Sequence, residues 1–493
     1  MTTDRLAGAA IGRLDEDQAH PRLECPLAVD LDGTLVWSDT LHEGLIGLVK
    51  ARPGAVVALC GALRHGKAAF KRHVATAMPF APAALPYNLG LLAFLHAEKR
   101  AGRRVGLFTA ADQSVADAVA GYLGLFDVVR GSDAATNLSG IAKATAIEAS
   151  FGPRFAYAGD AKVDWPIFAR AESVVLAGRV ERLMPGLAKD AVIEARFPSA
   201  RMGLATWVNA LRLHHWVKNA LVFVAAILSS AGPAEWLQAA LLFMLLGVVA
   251  SATYIINDLL DLASDRNHPQ KRFRPFAAGL IPAWQGIAVA GLLTVGALLL
   301  ASLILPWGCT AILSAYLAIT LSYSLVLKRI PMVDVTVLAG LFTLRVLAGS
   351  LVVSTQVSPW LLTFSMLFFL GLALIKRYAE LHRVVQAAPD ATARSYTRED
   401  LPLLMTSGLA SGFSAIVIAM IYLITEQYPR AVYGQPGALW GAMPILLVWT
   451  LRLWHLAIHG RMNEDPVIFA IKDRLSLALS GTLAFILLAA RSF

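Results

Sequence analysis

The sequence predicts a soluble α/β domain followed by an all-α membrane bundle. Short apolar runs that end in acidic clusters occupy residues 1 to about 195. Long apolar runs, many of them able to cross a bilayer, fill the remainder. The 493-residue chain is 57% hydrophobic and only 16% charged, far more apolar than a soluble globular protein. The expected division is a soluble domain over 1–195, a linker or interfacial helix over 196–215 and a transmembrane domain over 216–493.

The net charge of +9 does not point to nucleic acid, because Lys and Arg lie mostly beside the apolar runs. That placement suits membrane orientation and anionic substrates. Cys25, Cys60 and Cys309 are far apart and form no CxxC pair, so neither a disulfide framework nor a zinc site is expected. Met1 to Pro26 is polar and mixed in charge. No cleavable signal peptide is expected there, and the soluble domain is expected in the cytoplasm.

Pro26-Leu27-Ala28-Val29 reads as a buried strand that ends in Asp30-Leu31-Asp32-Gly33-Thr34. A second strand, Arg104 to Phe108, ends in Thr109, and a third, Phe155 to Ala158, ends in Gly159-Asp160-Ala161-Lys162-Val163-Asp164. Lys143 lies between them. Acids at the carboxyl ends of such strands occupy the usual ligand crevice of an α/β sheet. Any one of these acids alone is commonly a turn or cap residue. Together, DxDGT, a Thr after a strand, a Lys and GDxxxD stand in the order found in the haloacid dehalogenase (HAD) phosphatases, which residues 25 to 180 resemble.

The resemblance implies a Rossmann-like HAD fold, with the helical stretch 41–100 as a small cap. It implies that Asp30 attacks phosphorus, Asp32 acts as acid and then base, Thr109 holds a phosphoryl oxygen and Lys143 neutralises charge. Mg²⁺ would be held by Asp30 and Asp160 within the acidic set that also contains Asp32 and Asp164.

Pro198 and Ser199 break the chain, and Arg201 to Leu213 reads equally as an interfacial helix or as one packed on the soluble domain. Nine apolar spans are expected, at about 217–231, 236–256, 282–305, 309–327, 333–353, 359–375, 403–425, 438–457 and 475–490. Loops after the even-numbered spans carry Lys271, Arg272, Arg274, Lys328, Arg329, Lys376, Arg377, Arg383, Arg461, Lys472 and Arg474, whereas the alternate loops carry little beyond Arg430. The positive-inside rule puts the charged loops, and both prospective sites, on the cytoplasmic side of a bacterial-type plasma membrane.

The second span runs into Asn257-Asp258-Leu259-Leu260-Asp261 and on to Asp265, which places three carboxylates at i, i+3 and i+7. On one helix they would share a face and repel unless a divalent cation lay between them. Oxygen donors of this kind suit Mg²⁺ with substrate phosphates, and Lys271, Arg272 and Arg274 supply the cationic half of a diphosphate site. Further substrate-binding candidates gather at the same ends of the spans: Lys218, Asn219, Tyr323, Lys328, Lys376 and Arg377. Arg345 joins them from inside the fifth span, where an unpaired charge is costly. Flanking cations often only snorkel, which is the simpler reading of Arg329 and Arg383. His214, His215 and His268 lack partners at metal-ligand spacing.

Here the chain resembles the UbiA superfamily of membrane prenyltransferases, through NDxxDxxxD and the span pattern. Within it the chain is similar to the decaprenyl-phosphate phosphoribosyltransferases. That similarity rests on WVKN at 216–219, the stretch 257–279, YSxxLK at 323–328, LIKRYAEL at 374–381 and Arg394-Ser395-Tyr396. A second DxxxD cluster is missing: after Lys328-Arg329 stands only Asp334, and after Lys376-Arg377 only Glu380. The resemblance implies transfer of 5-phosphoribose from phosphoribosyl pyrophosphate to polyprenyl phosphate, with Asn257, Asp258, Asp261 and Asp265 on Mg²⁺. The fused soluble domain would then remove the 5-phosphate. Two alternatives stand beside this: prenyl transfer to an aromatic acceptor with an unrelated soluble domain, and a regulatory soluble domain. Polyprenyl length and oligomeric state stay open, a homo-oligomer included.

Overall fold

The computed structural model describes residues 25–492 except 53, 55–60, 62–65, 78–80, 134–135, 201, 230, 354–356, 388–394, 430–432 and 463–465. Residues 1–24, Cys60, Arg201, Arg394 and Arg430 therefore lie outside the described residues. The chain divides into two compact units, the first comprising the chain through Leu211 together with Tyr254–Val289 and the second Arg212–Thr253 with Ala290–Phe493. Helices of eight residues or more are numbered.

The first unit is built on a six-stranded parallel sheet of order β3-β2-β1-β4-β5-β6. Its strands are β1 (Leu27–Val29), β2 (Val105–Asp112), β3 (Val128–Ser132), β4 (Ala156–Gly159), β5 (Ser173–Gly178) and β6 (Val192–Pro198). Strand β1 is central and fully buried, which is why it reads as a continuous apolar run. Its alternate residues feed two cores. Leu27 and Val29 join Leu107 and Ala158 on one face, while Ala28 joins Phe108 and Tyr157 on the other.

Helices α1 (Thr40–Ala51), α2 (Lys67–Ala77) and α3 (Leu89–Arg100) lie between β1 and β2 in sequence, and α4 (Gln113–Leu123) and α5 (Ile141–Phe151) follow. The start of α1 is fixed by Asp39, whose carboxylate accepts the His42 N–H at 3.0 Å. The strand order reverses between β1 and β4, and the carboxyl ends at such a switch point form a ligand crevice. Asp30 and Asp160 stand there, each directly after its strand.

Helix α6 (Leu204–Leu211) leads toward the apolar helices α7 (Pro233–Leu260), α8 (Ala283–Ile304), α9 (Trp307–Leu325), α10 (Val333–Val352), α11 (Pro359–Ala387), α12 (Leu401–Tyr422), α13 (Ala442–Ile458) and α14 (Arg474–Ser492). The expected nine-span count is corrected. Among the described residues, seven helices are long and apolar enough to cross a membrane. The expected first and last spans are shorter apolar helices, Leu213–Leu228 and Arg474–Ala490. Leu213–Phe223 is wound as a 3₁₀ helix, only Val224–Leu228 is α-helical, and Ser229 is already extended. The last helix has 19 residues but opens on Arg474 and is apolar only over its shorter run to Ala490.

A second correction concerns the acidic stretch. Helix α7 ends at Leu260, Asp261 adopts φ −101° and ψ 10°, and a new short helix covers Leu262–Arg266. The three carboxylates therefore do not line one continuous helical face.

Candidate functional site

At the switch point, the Lys143 ammonium, carried on α5 and almost fully buried, lies 2.8 Å from Asp30 and 3.7 Å from Asp164. The Tyr157 hydroxyl bridges the same groups, accepting from Lys143 at 3.2 Å and donating to Asp164 at 3.0 Å. Thr34 donates its hydroxyl to Asp160 at 3.1 Å. Gly33 has φ +76°, and a Cβ there would lie 2.1 Å from an Asp160 oxygen, so the turn after β1 needs glycine to reach the acids. Asp30, Asp160 and Asp164 offer carboxylate oxygens that all lie within 4.8 Å of one another. Three hard oxygen donors this close, with one buried Lys, fit a divalent cation such as Mg²⁺.

The electrostatics agree with that geometry. Burial, then the neighbouring Asp30 charge, pushes Asp160 well above the ordinary carboxylate range and Asp164 up to about 6. Burial would lower Lys143, but Asp30 and Asp164 outweigh it and hold the ammonium above its usual value. Asp32 stands apart from the acidic cluster. It accepts the Thr40 N–H at 2.8 Å and the Thr40 hydroxyl at 3.3 Å, and burial followed by Asp39 pushes it up to about 7. Thr109 is fully buried, and its hydroxyl oxygen accepts the Ala111 N–H at 3.0 Å. Thr34, Tyr157 and Thr40 are the residues that sequence reasoning missed. Thr34 lies within DxDGT and was legible; Tyr157 and Thr40 carry no spacing signal.

The second acidic group is held by cations of the protein. Arg274 Nη1 lies 2.6 Å from Asp265 and 3.2 Å from Asp258, both acids being buried. Asp261, at the helix break, meets Lys50 of α1 at 2.9 Å. Arg266 makes a two-pronged pair with Glu43 of α1 at 2.7 and 2.8 Å and also donates to the Ala84 and Ala277 carbonyls. Asp258 and Asp265 thus converge on one positive point, a donor arrangement that suits a cation. Lys271 and Arg272 lie in the turn Lys271–Phe273, with Arg272 over the Phe273 ring at 4.8 Å. Asn257 occupies the last turn of α7.

In the second unit, two expected substrate cations are engaged by protein groups. Arg345 donates to the Asn219 side-chain oxygen and to the Tyr316 hydroxyl, each at 3.0 Å, and to the Leu341 carbonyl. Arg377 is fully buried, 2.6 Å from Asp334, and also pairs with Glu380. Tyr396 completes this group by donating to Asp334 and lying 5.8 Å from the Arg377 guanidinium. Lys218 sits 5.5 Å from the Phe342 ring centroid. Tyr323, Lys328 and Lys376 are half-buried, near the ends of α9 and inside α11.

A family model described as the UbiA prenyltransferase family matches residues 220–472. The chain is 37% identical over 464 residues to "Uncharacterized protein y4nM" of Sinorhizobium fredii, covering 93% of this chain and 90% of that protein. It is 30% identical over 296 residues to the decaprenyl-phosphate phosphoribosyltransferase of Mycolicibacterium smegmatis, covering 56% of this chain and 90% of that protein. Among solved structures, a UbiA homologue from Archaeoglobus fulgidus bound to GPP and Mg²⁺ aligns with TM-score 0.44 and 16% identity, over 58% of this chain and all of that one. The family match begins at residue 220. The expected haloacid dehalogenase fold for the N-terminal part is accordingly corrected to a six-stranded parallel α/β unit without that family assignment.

Proposed function

The chain belongs to the UbiA prenyltransferase family and is an integral membrane protein, and from that premise we propose that it joins two phosphate reactions on one lipid. In the first, a polyprenyl phosphate oxygen attacks C1 of phosphoribosyl pyrophosphate, the bond from C1 to the pyrophosphate oxygen breaks, and pyrophosphate leaves. In the second, the 5-phosphate is hydrolysed from the ribosyl lipid. The domain division 1–195, 196–215 and 216–493 is part of this reading, as is a cytoplasmic position for both sites.

For the first step, Asn257, Asp258, Asp261 and Asp265 would hold Mg²⁺, which supplies charge neutralisation to the departing pyrophosphate. Lys271, Arg272 and Arg274 would bind donor phosphate oxygens. Lys218, Lys328 and Lys376 would take the 5-phosphate or the lipid phosphate, with Asn219 and Tyr323 as hydrogen-bonding partners. Because the lipid phosphate is already an anion, no general base is needed. Arg345 orients Asn219, and Arg377 braces the second unit.

For the second step, Asp30 attacks phosphorus and the ribose 5-oxygen leaves with a proton from Asp32. Asp32 then takes a proton from the water that cleaves the aspartyl phosphate. A carboxyl pushed up to about 7 is suited to give and then take a proton near neutrality. Lys143 would offset the charge that builds on the phosphoryl oxygens. Asp30 and Asp160, supported by Asp164, would hold Mg²⁺ there.

The observation that carries the reading is a buried Asp30–Lys143 acid-cation centre within the same chain as a UbiA region 30% identical to a phosphoribosyltransferase. Prenyl transfer to an aromatic acceptor is the second reading, favoured by the family description. Against it, Asp334 and Glu380, the acids nearest the cationic ends of the second half, are both engaged by Arg377.

The test is mass spectrometry of lipids made by the purified protein from polyprenyl phosphate, phosphoribosyl pyrophosphate and Mg²⁺, beside an Asp30→Asn variant. Ribosyl lipid from the parent and phosphoribosyl lipid from the variant are expected. Phosphoribosyl lipid from both removes the hydrolytic step. No ribosylated lipid from either, with pyrophosphate released from a prenyl diphosphate and an aromatic acceptor, establishes the second reading instead.

A further inference from the structure

Two cavities meet at the Asp30–Asp160 centre of the first unit. One, of about 560 Å³, opens along α1 and is lined by Asp30, Asp32, Asp39, Glu43 and Lys71. The other, of about 530 Å³, opens past the ends of β5 and β6 and is lined by Lys162, Arg179, Arg182, Met202 and Gln285. Gly33, Trp37, Asp160, Pro282 and Trp284 border both. The first chamber is mainly acidic; in the second, three cations stand beside the single carboxylate of Asp160.

A simple phosphomonoester needs the Asp30 centre alone, so the hydrolytic step leaves the cationic chamber without a role. The wall shared by the chambers suggests one. Trp284 lies in the first turn of α8, one of the seven helices able to cross a membrane, and is 54% exposed. The chain just before it is held against the turn after β1 and against α1. Gly279 has φ +71°, and a Cβ there would lie 2.7 Å from the Trp37 Cβ. Arg266, on the same segment, is clamped by Glu43. The mouth common to both chambers is therefore built at the start of a membrane helix.

We propose that the Lys162–Arg179–Arg182 chamber is a second anion subsite, which holds the phosphodiester of a lipid-linked phosphosugar while its terminal phosphomonoester sits at Asp30. One sugar ring separates the two phosphates of such a substrate, and the two chambers adjoin at Asp160, which lines both. Its lipid chain leaves past Trp284 along α8. A soluble sugar phosphate lacks the second anion and the chain, so the chamber selects for the lipid-linked form. This deepens the hydrolytic reading above and rests on it.

The experiment compares kcat/KM of the full chain in nonionic detergent for p-nitrophenyl phosphate, ribose 5-phosphate and phosphoribosyl polyprenyl phosphate. It is repeated with the Arg179→Ala/Arg182→Ala double variant and with Trp284→Ala. The double variant is expected to lower the ratio of lipid-linked to p-nitrophenyl turnover about tenfold or more, chiefly through KM, and Trp284→Ala to lower it several-fold. An unchanged ratio, or an equal fall with all three substrates, overturns the subsite. A ratio that falls only when anionic lipid is added to the micelles assigns the cations to membrane headgroups and also overturns it. If the parent hydrolyses none of the three, the hydrolytic reading itself fails, which is a distinguishable result.

Discussion

Arg377 offers the sharpest test, because sequence pattern and geometry assign it different work. Its position after a span, beside Lys376, suggests a substrate phosphate ligand. Its guanidinium is fully buried and lies 2.6 Å from Asp334, which Tyr396 also contacts. Arg377→Met would leave the Asp334 carboxylate, itself 0% exposed, without its counter-charge. Removing one member of a buried ion pair costs about 3 to 5 kcal/mol. For a domain of roughly this size, each kcal/mol lowers Tm by about 2 to 4 °C, so a fall on the order of 10 °C is expected. Thermal unfolding of the detergent-purified protein reads this directly. The double variant Asp334→Asn/Arg377→Met removes the stranded charge and should recover about 2 kcal/mol, a coupling that only a direct pair produces. The reasoning fails if Arg377→Met melts within a degree or two of the parent while phosphoribosyl pyrophosphate binding collapses.

Other outcomes follow from the same geometry. Lys143→Met should abolish phosphomonoester hydrolysis, by a factor of about 10² or more, while phosphoribosyl transfer persists; equal loss of both reactions would contradict separate sites. Asp164 is pushed up to about 6 from an unfolded value of 3.8. A raised carboxyl binds its proton more tightly when folded, so metal-free stability is full below about pH 4 and declines as pH rises through 6. The loss is about 3 kcal/mol from this residue, and saturating Mg²⁺ should reverse it. A melting curve in chelator that is flat across that window, or insensitive to Mg²⁺, would sink the metal assignment. Arg345→Lys cannot reach both Asn219 and Tyr316 and should cost about 2 to 3 kcal/mol of stability; an unaltered melting temperature would show that those hydrogen bonds are idle.

The Asp30–Asp160 centre was legible because strand ends in a parallel sheet converge, and DxDGT and GDxxxD mark two such ends. Tyr157 was not legible: it is an apolar-looking strand residue whose hydroxyl matters only once β4 brings it beside Lys143. The acidic stretch was misread in detail because helical spacing assumes an unbroken helix, and the break falls on Asp261 itself. Arg345 reads as a ligand because an intramembrane charge is costly unless it serves a purpose, and Arg377 because it follows a span beside Lys376. Their purpose depends on partners distant in sequence, such as Asn219, 126 residues from Arg345. The first short apolar segment reads as a span because hydropathy cannot distinguish a 3₁₀ run from an α-helix of the same residues; the last reads as one because its α-helical apolar run, to Ala490, is only slightly too short to cross.

The segment from Asp258 to Trp284 ties the two proposed reactions together. One end presents Asp258 and Asp265 to Arg274, the group assigned to the donor pyrophosphate. Its middle is clamped to α1 through Arg266–Glu43 and Lys50–Asp261, and its far end supplies Pro282 and Trp284 to the cavities at the Asp30–Asp160 centre. A phosphoribosyl lipid made by this chain would be acted on by a centre carried on the same polypeptide, a gain in effective concentration that needs no allosteric signal. The clamp also has a chemical consequence. Lys50 occupies Asp261, so a cation drawing on Asp261 must displace an ammonium supplied by α1. Lys50→Ala should therefore raise the apparent Mg²⁺ affinity of phosphoribosyl transfer several-fold, as expected when a competing charge at about 3 Å is removed. If the Mg²⁺ dependence of transfer is the same with and without the Lys50 ammonium, Asp261 takes no part in holding the metal, and the link between the two sites is mechanical only.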